Sequence, residues 1–276
     1  MSSFVKNKRM TLTKIRAKQT SNEKISMVTC YDASFARLID KTKIDMILVG
    51  DSLGNVMLGY QDTIRVTLND VLHHCKAVSR VSGRPFICAD MPFMTYQVSV
   101  ENALENAARL MQEGGAHGVK VEGGGPVLEK ITAITEAGIP VMGHIGLTPQ
   151  SIHQLGGYRV QGRGQAGQAL LDEAKRIEDA GAFALVLEMV PYEVAEKITS
   201  ELTIPTIGIG AGPRCSGQVL VLQDLLGFDA DFSPKFLKKY LDLGTMVCEA
   251  LDAFDSEVKN GIFPSIEKHS FADSKE

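Results

Sequence analysis

Short apolar runs alternate along this chain with stretches of helical periodicity, and the runs stop at a polar residue or a glycine. They are IDMILVGD to Asp51, PFICAD to Asp90, HGVKVE to Glu122, IPVMGHI through His144, FALVLE to Glu188 and IPTIGIG to Gly210. Apolar runs this short, bounded by breakers, read as buried strands. Polar groups at their C-terminal ends therefore fall where parallel strands finish. If the sheet closes, those ends converge on one mouth, where barrel folds keep their chemistry.

The intervening segments supply the crossovers. ISMVTC (25–30) leads into YDASFARLIDKT, where Asp32 or Ser34 caps a helix whose face is Phe35, Leu38 and Ile39. The second strand, 44–50, precedes TLNDVLHHCKAVSR, in which Thr67 and Asp70 have capping-box spacing. Strand 85–89 precedes SVENALENAARLMQEGG, which closes on a glycine cap at Gly114 and Gly115. Strands 117–122, 139–145 and 183–188 precede PVLEKITAITEAG, QALLDEAKRIEDAG and PYEVAEKITSEL. An eighth strand is offered by 218–226, which also suits a strand followed by a short helical turn. The stretch PKFLKKYLDLGTMVCEALDAFDSEVKN has helical spacing and is expected to pack outside the barrel.

Strands and helices alternating at this pace mean parallel βαβ units. A doubly wound open sheet is the rival. Against it, no GxGxxG follows the first strand, and polar strand ends run around nearly the whole series instead of gathering at one switch point. No linker-like composition divides the 276 residues, so a single domain with a short N-terminal helix and a C-terminal helical extension is the simpler organisation.

Composition narrows the function classes. Twenty-nine basic against 33 acidic side chains give a formal charge of -4 with no basic stripe, which argues against nucleic acid. Cys30, Cys75, Cys88, Cys215 and Cys248 are odd in number and form no CxxC pair, fitting free thiols in a reducing compartment. No apolar run approaches the roughly 20 residues needed to cross a bilayer, so a soluble, cytoplasmic protein is expected. Lys6, Lys8, Arg9, Lys14, Arg16 and Lys18 precede the first acid, Glu23. They resemble a targeting segment superficially, or the solvated face of a helix TLTKIRAKQ capped near Thr11 or Thr13. The tail from Lys268 is expected to fray.

Asp51, Asp90 and Glu122 would stand side by side on the rim of a barrel. Hard oxygen donors without a cysteine or histidine pair suit Mg²⁺, which keeps several waters. Any one of them also reads as a helix cap. Lys120 lies two residues before Glu122, on the same side of its strand, as a cation for an oxyanion or as an ion-pair partner of Glu122. Glu188 follows five apolar residues, surroundings that suit a base at neutral pH. His144 is either a satisfied core histidine or a substrate contact. The run GIGAGPRCSGQ (208–218) suits close backbone approach to a ligand such as phosphate, or a tight connection. The long segment 147–165 has the length of a lid, with Tyr158 or Arg163 to meet substrate.

The strings VTCYDASFA, ILVGDSLGNVMLGY, ADMPFMTY, VKVEGG, VMGHIGLTPQS, GGYRVQG and IGIGAGPRCSGQVLVLQDLLG resemble ketopantoate hydroxymethyltransferase, an enzyme family of pantothenate biosynthesis. The similarity runs from about residue 10 to PSIEKHSF. It implies a (β/α)₈ TIM barrel of the phosphoenolpyruvate mutase/isocitrate lyase type. It also implies hydroxymethyl transfer from 5,10-methylenetetrahydrofolate to α-ketoisovalerate with Mg²⁺, and a large homo-oligomer, a decamer. Position by position, it implies Asp51, Asp90 and Glu122 as metal ligands, Ser52 and Lys120 beside Asp51 and Asp90 as substrate contacts, and Glu188 as proton acceptor. Two alternatives stay open: a Mg²⁺-dependent carbon–carbon lyase or mutase acting on a small oxyacid, and a non-catalytic barrel that binds a ketoacid.

Overall fold

In the computed structural model, which describes residues 9–273, eight parallel strands close a barrel in sequence order. They are β1 (Ile25–Thr29), β2 (Met46–Val49), β3 (Phe86–Asp90), β4 (Gly118–Glu122), β5 (Val141–Gly146), β6 (Ala184–Glu188), β7 (Thr206–Ile209) and β8 (Gly217–Leu220). β8 pairs back onto β1, with Ile25 opposite Gly217, so the sheet has no free edge. The rival open sheet is thereby excluded. Lys6, Lys8 and the last three residues of the tail lie outside the described residues.

The helices are α1 (Leu12–Thr20), α2 (Ala33–Asp40), α3 (Leu53–Val56), α4 (Leu68–Ser79), α5 (Val100–Gln112), α6 (Leu128–Glu136), α7 (Ile152–Leu155), α8 (Ala166–Asp179), α9 (Tyr192–Glu201), α10 (Leu222–Leu226), α11 (Leu243–Lys259) and α12 (Ile266–His269). Their starts follow local chemistry. Thr11 accepts from the Lys14 N–H at the head of α1, and Asp32 accepts from the Ser34 and Phe35 N–H groups at the head of α2. Thr67 and Asp70 complete both arms of a capping box on α4. The buried face of α2 is Ala36 and Ile39, whereas Leu38 is exposed, because it lies two positions from Ala36 and so points off that face. In 218–226, the strand followed by a helical turn is what forms.

α1 determines which end of the barrel is open. Met10 and Ile15 join the interior cluster of Met27, Met46, Phe86, Met142, Phe183 and Ile207, with the Phe86 and Phe183 rings 5.4 Å apart. The Met10 N–H donates to the Arg84 carbonyl, just ahead of β3, so this plug sits where the strands begin. Each such side chain removed from water contributes about 1.5–3 kcal/mol. The acidic strand ends lie at the opposite rim. β7 and β8 are joined by residues 210–216 alone, without a crossover helix.

The chain divides into two compact units, up to Leu222 and from Gln223 onward. In the second unit, helix resumes after α10 only at Leu243. Before it, the Tyr240 N–H donates to the Leu225 carbonyl and Lys239 bonds the Asp229 and Ala230 carbonyls, which holds this stretch in turns instead of the continuous helix its spacing predicts. α11 buries none of its residues; Met246, Leu251 and Phe254 are all exposed.

Candidate active site

Strand register sets the neighbours. Asp90 pairs with Lys120, Glu122 with His144, and Glu188 with Gly146. Because alternate residues of a strand share a face, Lys120 and Glu122 both point inward. Asp51, Asp90, Lys120, Glu122 and His144 are all buried, while the Glu188 side chain keeps 19% of its surface exposed at the mouth.

The Lys120 ammonium bonds Asp90 Oδ1 and lies 3.4 Å from Glu122 Oε1. Burial pulls its pKa down, but Asp90, Glu122 and Asp51 outweigh that and hold it above the ordinary lysine range. Glu122 Oε1 also accepts from His144 Nδ1 at 3.2 Å, and Oε2 from the Gln150 N–H at 3.0 Å. Against the upward push of burial, Lys120 and His144 drive the Glu122 carboxyl well below its usual value. Burial and Lys120 oppose protonation of His144, yet Glu122 and Glu188 raise it to about 9. His144 Nε2 stands 3.3 Å from Glu188 Oε2 but off the line of a hydrogen bond. The apolar setting expected for Glu188 is thus replaced by an imidazolium.

Asp51 follows β2 through Gly50. A Cβ on Gly50 would stand 2.9 Å from Ser52 Oγ and 3.2 Å from Asp90 Oδ2, so the missing side chain lets these groups close up. The Asp51 N–H donates to Asp90 Oδ2 at 3.0 Å, and Gln150 Nε2 donates to Asp51 Oδ2 at 2.8 Å. Burial first, then Asp90 and Glu122, push the Asp51 carboxyl well above its usual value. Ser52 Oγ lies 2.7 Å from the buried Tyr31 hydroxyl.

The four carboxylates face two cations, Lys120 and His144, which leaves a surplus of negative charge centred on Asp51 and Asp90. A divalent ion fits that surplus and that oxygen donor set. Among the described residues no three His, Cys, Asp or Glu groups form a metal-holding cluster; Glu122 is engaged by Lys120, His144 and Gln150. Two carboxylates with retained waters nevertheless suit Mg²⁺.

The 147–165 segment is partly ordered by its own structure, with a 3₁₀ turn at Pro149–Ser151 and then α7. It is laid along the end of β6, where the Gln161 N–H donates to the Met189 carbonyl at 2.9 Å. Met189, directly after Glu188, has φ +46°, a left-handed conformation that non-glycine residues rarely adopt. Burial and then the nearby Glu188 charge raise the Tyr158 phenol, whereas Arg163 is exposed at the surface. The 208–218 run is a tight connection: Gln218 Nε2 bonds the Gly212 carbonyl, and Gly212 packs on Tyr192.

Tyr31, Tyr96 and Gln150 also line this array, although no strand-end charge marks them in the sequence. Tyr96 and Gln150 stand inside the quoted strings ADMPFMTY and VMGHIGLTPQS, but neutral side chains give no charge signal at a strand end.

The sequence model of ketopantoate hydroxymethyltransferase matches residues 9–266. A protein named 3-methyl-2-oxobutanoate hydroxymethyltransferase from Syntrophus aciditrophicus is 52% identical over 272 residues, covering 98% of this chain and 100% of its own length. The chain belongs to the ketopantoate hydroxymethyltransferase family. The barrel is shared more widely. The crystal structure of 2,3-dimethylmalate lyase, a member of the PEP mutase/isocitrate lyase superfamily, has TM-score 0.58 and 16% identity, covering 94% of this chain and 91% of that one. Phosphonopyruvate hydrolase complexed with oxalate and Mg++ has TM-score 0.59 and 13% identity, covering 93% and 92%. At those identities the likeness is one of fold.

Proposed function

We propose that this ketopantoate hydroxymethyltransferase family member moves a hydroxymethyl group from 5,10-methylenetetrahydrofolate to α-ketoisovalerate, giving ketopantoate. The observation that carries the proposal is the buried array of Asp51, Asp90, Lys120 and Glu122 with Glu188 facing it across His144.

Asp51 and Asp90 would hold Mg²⁺, with Glu122 tied through Gln150 to Asp51. When bound, the ion supplies Lewis acidity toward the ketoacid, making its C3 proton more acidic. Glu188 accepts that proton. Lys120 holds negative charge developing on the substrate oxygen, in a buried setting where such a contact is strong. Ser52, steadied by Tyr31, and His144 complete the substrate contacts with Asp51 and Asp90. The carbon nucleophile then attacks the one-carbon unit delivered by the folate, while one water supplies the hydroxyl oxygen and tetrahydrofolate leaves. The 147–165 segment, with Tyr158 near Glu188, screens the carbon nucleophile from bulk water.

The reading further makes the protein a cytoplasmic homo-oligomer, a decamer, consistent with the family. Among the described residues no helix is long and apolar enough to cross a membrane.

The test is deuterium exchange at C3 of α-ketoisovalerate, followed by proton NMR with Mg²⁺ and with EDTA, before and after adding methylenetetrahydrofolate. Metal-dependent exchange and then ketopantoate supports the reading. Exchange without product turns it toward a lyase or mutase, and bound ketoacid with neither exchange nor product toward a binding protein.

A further inference from the structure

Four buried hydrogen bonds form a directed chain behind the carboxylates. The Glu122 N–H donates to the Tyr96 oxygen at 3.1 Å, and the Tyr96 O–H donates to Gln150 Oε1 at 2.8 Å. Gln150 Nε2 then donates to Asp51 Oδ2 at 2.8 Å, while its backbone N–H returns to Glu122 Oε2 at 3.0 Å. The second Nε2 hydrogen goes to the Met91 carbonyl at 3.0 Å, and Tyr96 and Gln150 are both buried. Three successive strand ends, those of β2, β3 and β4, are thus tied to one amide.

The polarity of that amide is not free. Turned over, it would set Oε1 against the Asp51 carboxylate and the Met91 carbonyl, both of which only accept. Tyr96 works in the same sense. Its oxygen already receives the Glu122 N–H, so its single hydrogen is left for an acceptor, and the 2.8 Å contact to Gln150 Oε1 is shorter than the 3.1 Å alternative to the Glu122 carbonyl. The bond to Met91 ties the amide to the residue directly after β3. The bond to Asp51 reaches a residue 99 positions away in sequence and meets its carboxylate directly.

We propose that Gln150 is a positioning residue that fixes the Asp51 carboxylate for a divalent cation, and that Tyr96 acts through it by setting the direction of the amide. The proposal rests on the function proposed above. Asp51 Oδ2 is held toward the amide, so the angle its carboxylate presents beside Asp90 is set before the ion arrives. Groups behind metal ligands typically change metal affinity or activity by about 10–100-fold when removed.

Full-length wild type, Gln150→Met, Tyr96→Phe and the double variant are compared by Mn²⁺ titration, reading free ion by EPR, with thermal midpoints recorded in EDTA. Methionine keeps the length of the side chain and the backbone bond to Glu122 but donates nothing to Asp51. Q150M is expected to weaken Mn²⁺ about 10–100-fold and, because buried groups lose their partners, to lower the EDTA midpoint while still folding. Y96F is expected to weaken Mn²⁺ less, and to add no further loss in the Q150M background. Wild-type Mn²⁺ affinity in Q150M overturns the proposal, as does full additivity of the two substitutions. If Q150M does not fold, Y96F decides alone: weaker Mn²⁺ supports the relay and unchanged affinity overturns it. Wild type that binds no Mn²⁺ and exchanges no C3 proton instead removes the functional reading, and the relay with it.

Discussion

Glu122 and His144 are cross-strand partners on β4 and β5, and the pairing sets His144 Nδ1 3.2 Å from Glu122 Oε1 with Nε2 turned toward Glu188. The imidazole thus joins an acid whose oxygens are already bonded to the acid assigned the proton transfer. Its raised pKa has a measurable consequence. A histidine raised from about 6.5 to about 9 contributes stability that is fully present below pH 6.5 and is lost as pH rises through 9. Thermal midpoints in EDTA should fall more steeply between pH 7 and 9 for wild type than for His144→Asn; equal slopes would remove the charged pair.

Glu188→Gln keeps the shape of the side chain but cannot accept a proton. C3 exchange should drop by about 10²–10⁴-fold, the usual worth of a positioned base, with α-ketoisovalerate affinity within about twofold. Retained exchange assigns the proton transfer elsewhere.

Lys120→Met leaves Asp90 and Glu122 buried without their shared cation. Breaking one side of a buried ion pair costs about 3–5 kcal/mol, and that loss is expected in denaturant unfolding with EDTA. Excess Mg²⁺ should restore part of it if the ion occupies the same charge surplus. No recovery argues against that position for the ion.

Gly146 stands at the β5 position paired with Glu188, with φ +94°, and a Cβ there would lie 2.2 Å from the Glu188 carbonyl oxygen. Gly138 also has positive φ, +85°, but its Cβ would meet nothing within 4 Å. Gly138→Ala should therefore show backbone strain alone, about 1–3 kcal/mol. Gly146→Ala should cost more and also lower the exchange rate, because the end of β6 must move. Equal unfolding energies and unchanged exchange contradict the close-contact argument.

His117 provides a second pH signature, away from the mouth. Burial first, then Arg9, lower it to about 4, and its Nδ1 accepts the Ile87 N–H at 3.0 Å. Its contribution is fully present above pH 6.5 and declines as pH falls toward 4, because the unfolded chain binds the proton more readily. His117→Asn keeps an acceptor and cannot titrate in this range. Its midpoint should fall less than that of wild type between pH 6.5 and 4.

The barrel was legible because several strands end their apolar run at a charged residue, as at Asp90, Glu122 and Glu188, and several helices begin with a recognisable cap, as at Asp32 and Thr67. Asp51, Asp90, Lys120, Glu122 and Glu188 carried charge in positions where charge is costly to bury. Tyr96 and Gln150 did not, since a neutral donor discloses its role only once its partners are in place. The pairing of His144 with Glu188 was hidden for another reason: it depends on the lateral register of β5 against β6, which no single strand encodes. Exposure of Leu38 shows the same limit on a helix, where periodicity named a face too broad by one residue.

A barrel corked at its base by Met10 and Ile15 has one doorway. Reactants, water and product all pass the rim that carries Tyr158 and Glu188, so each turnover begins only after the previous product has vacated the path.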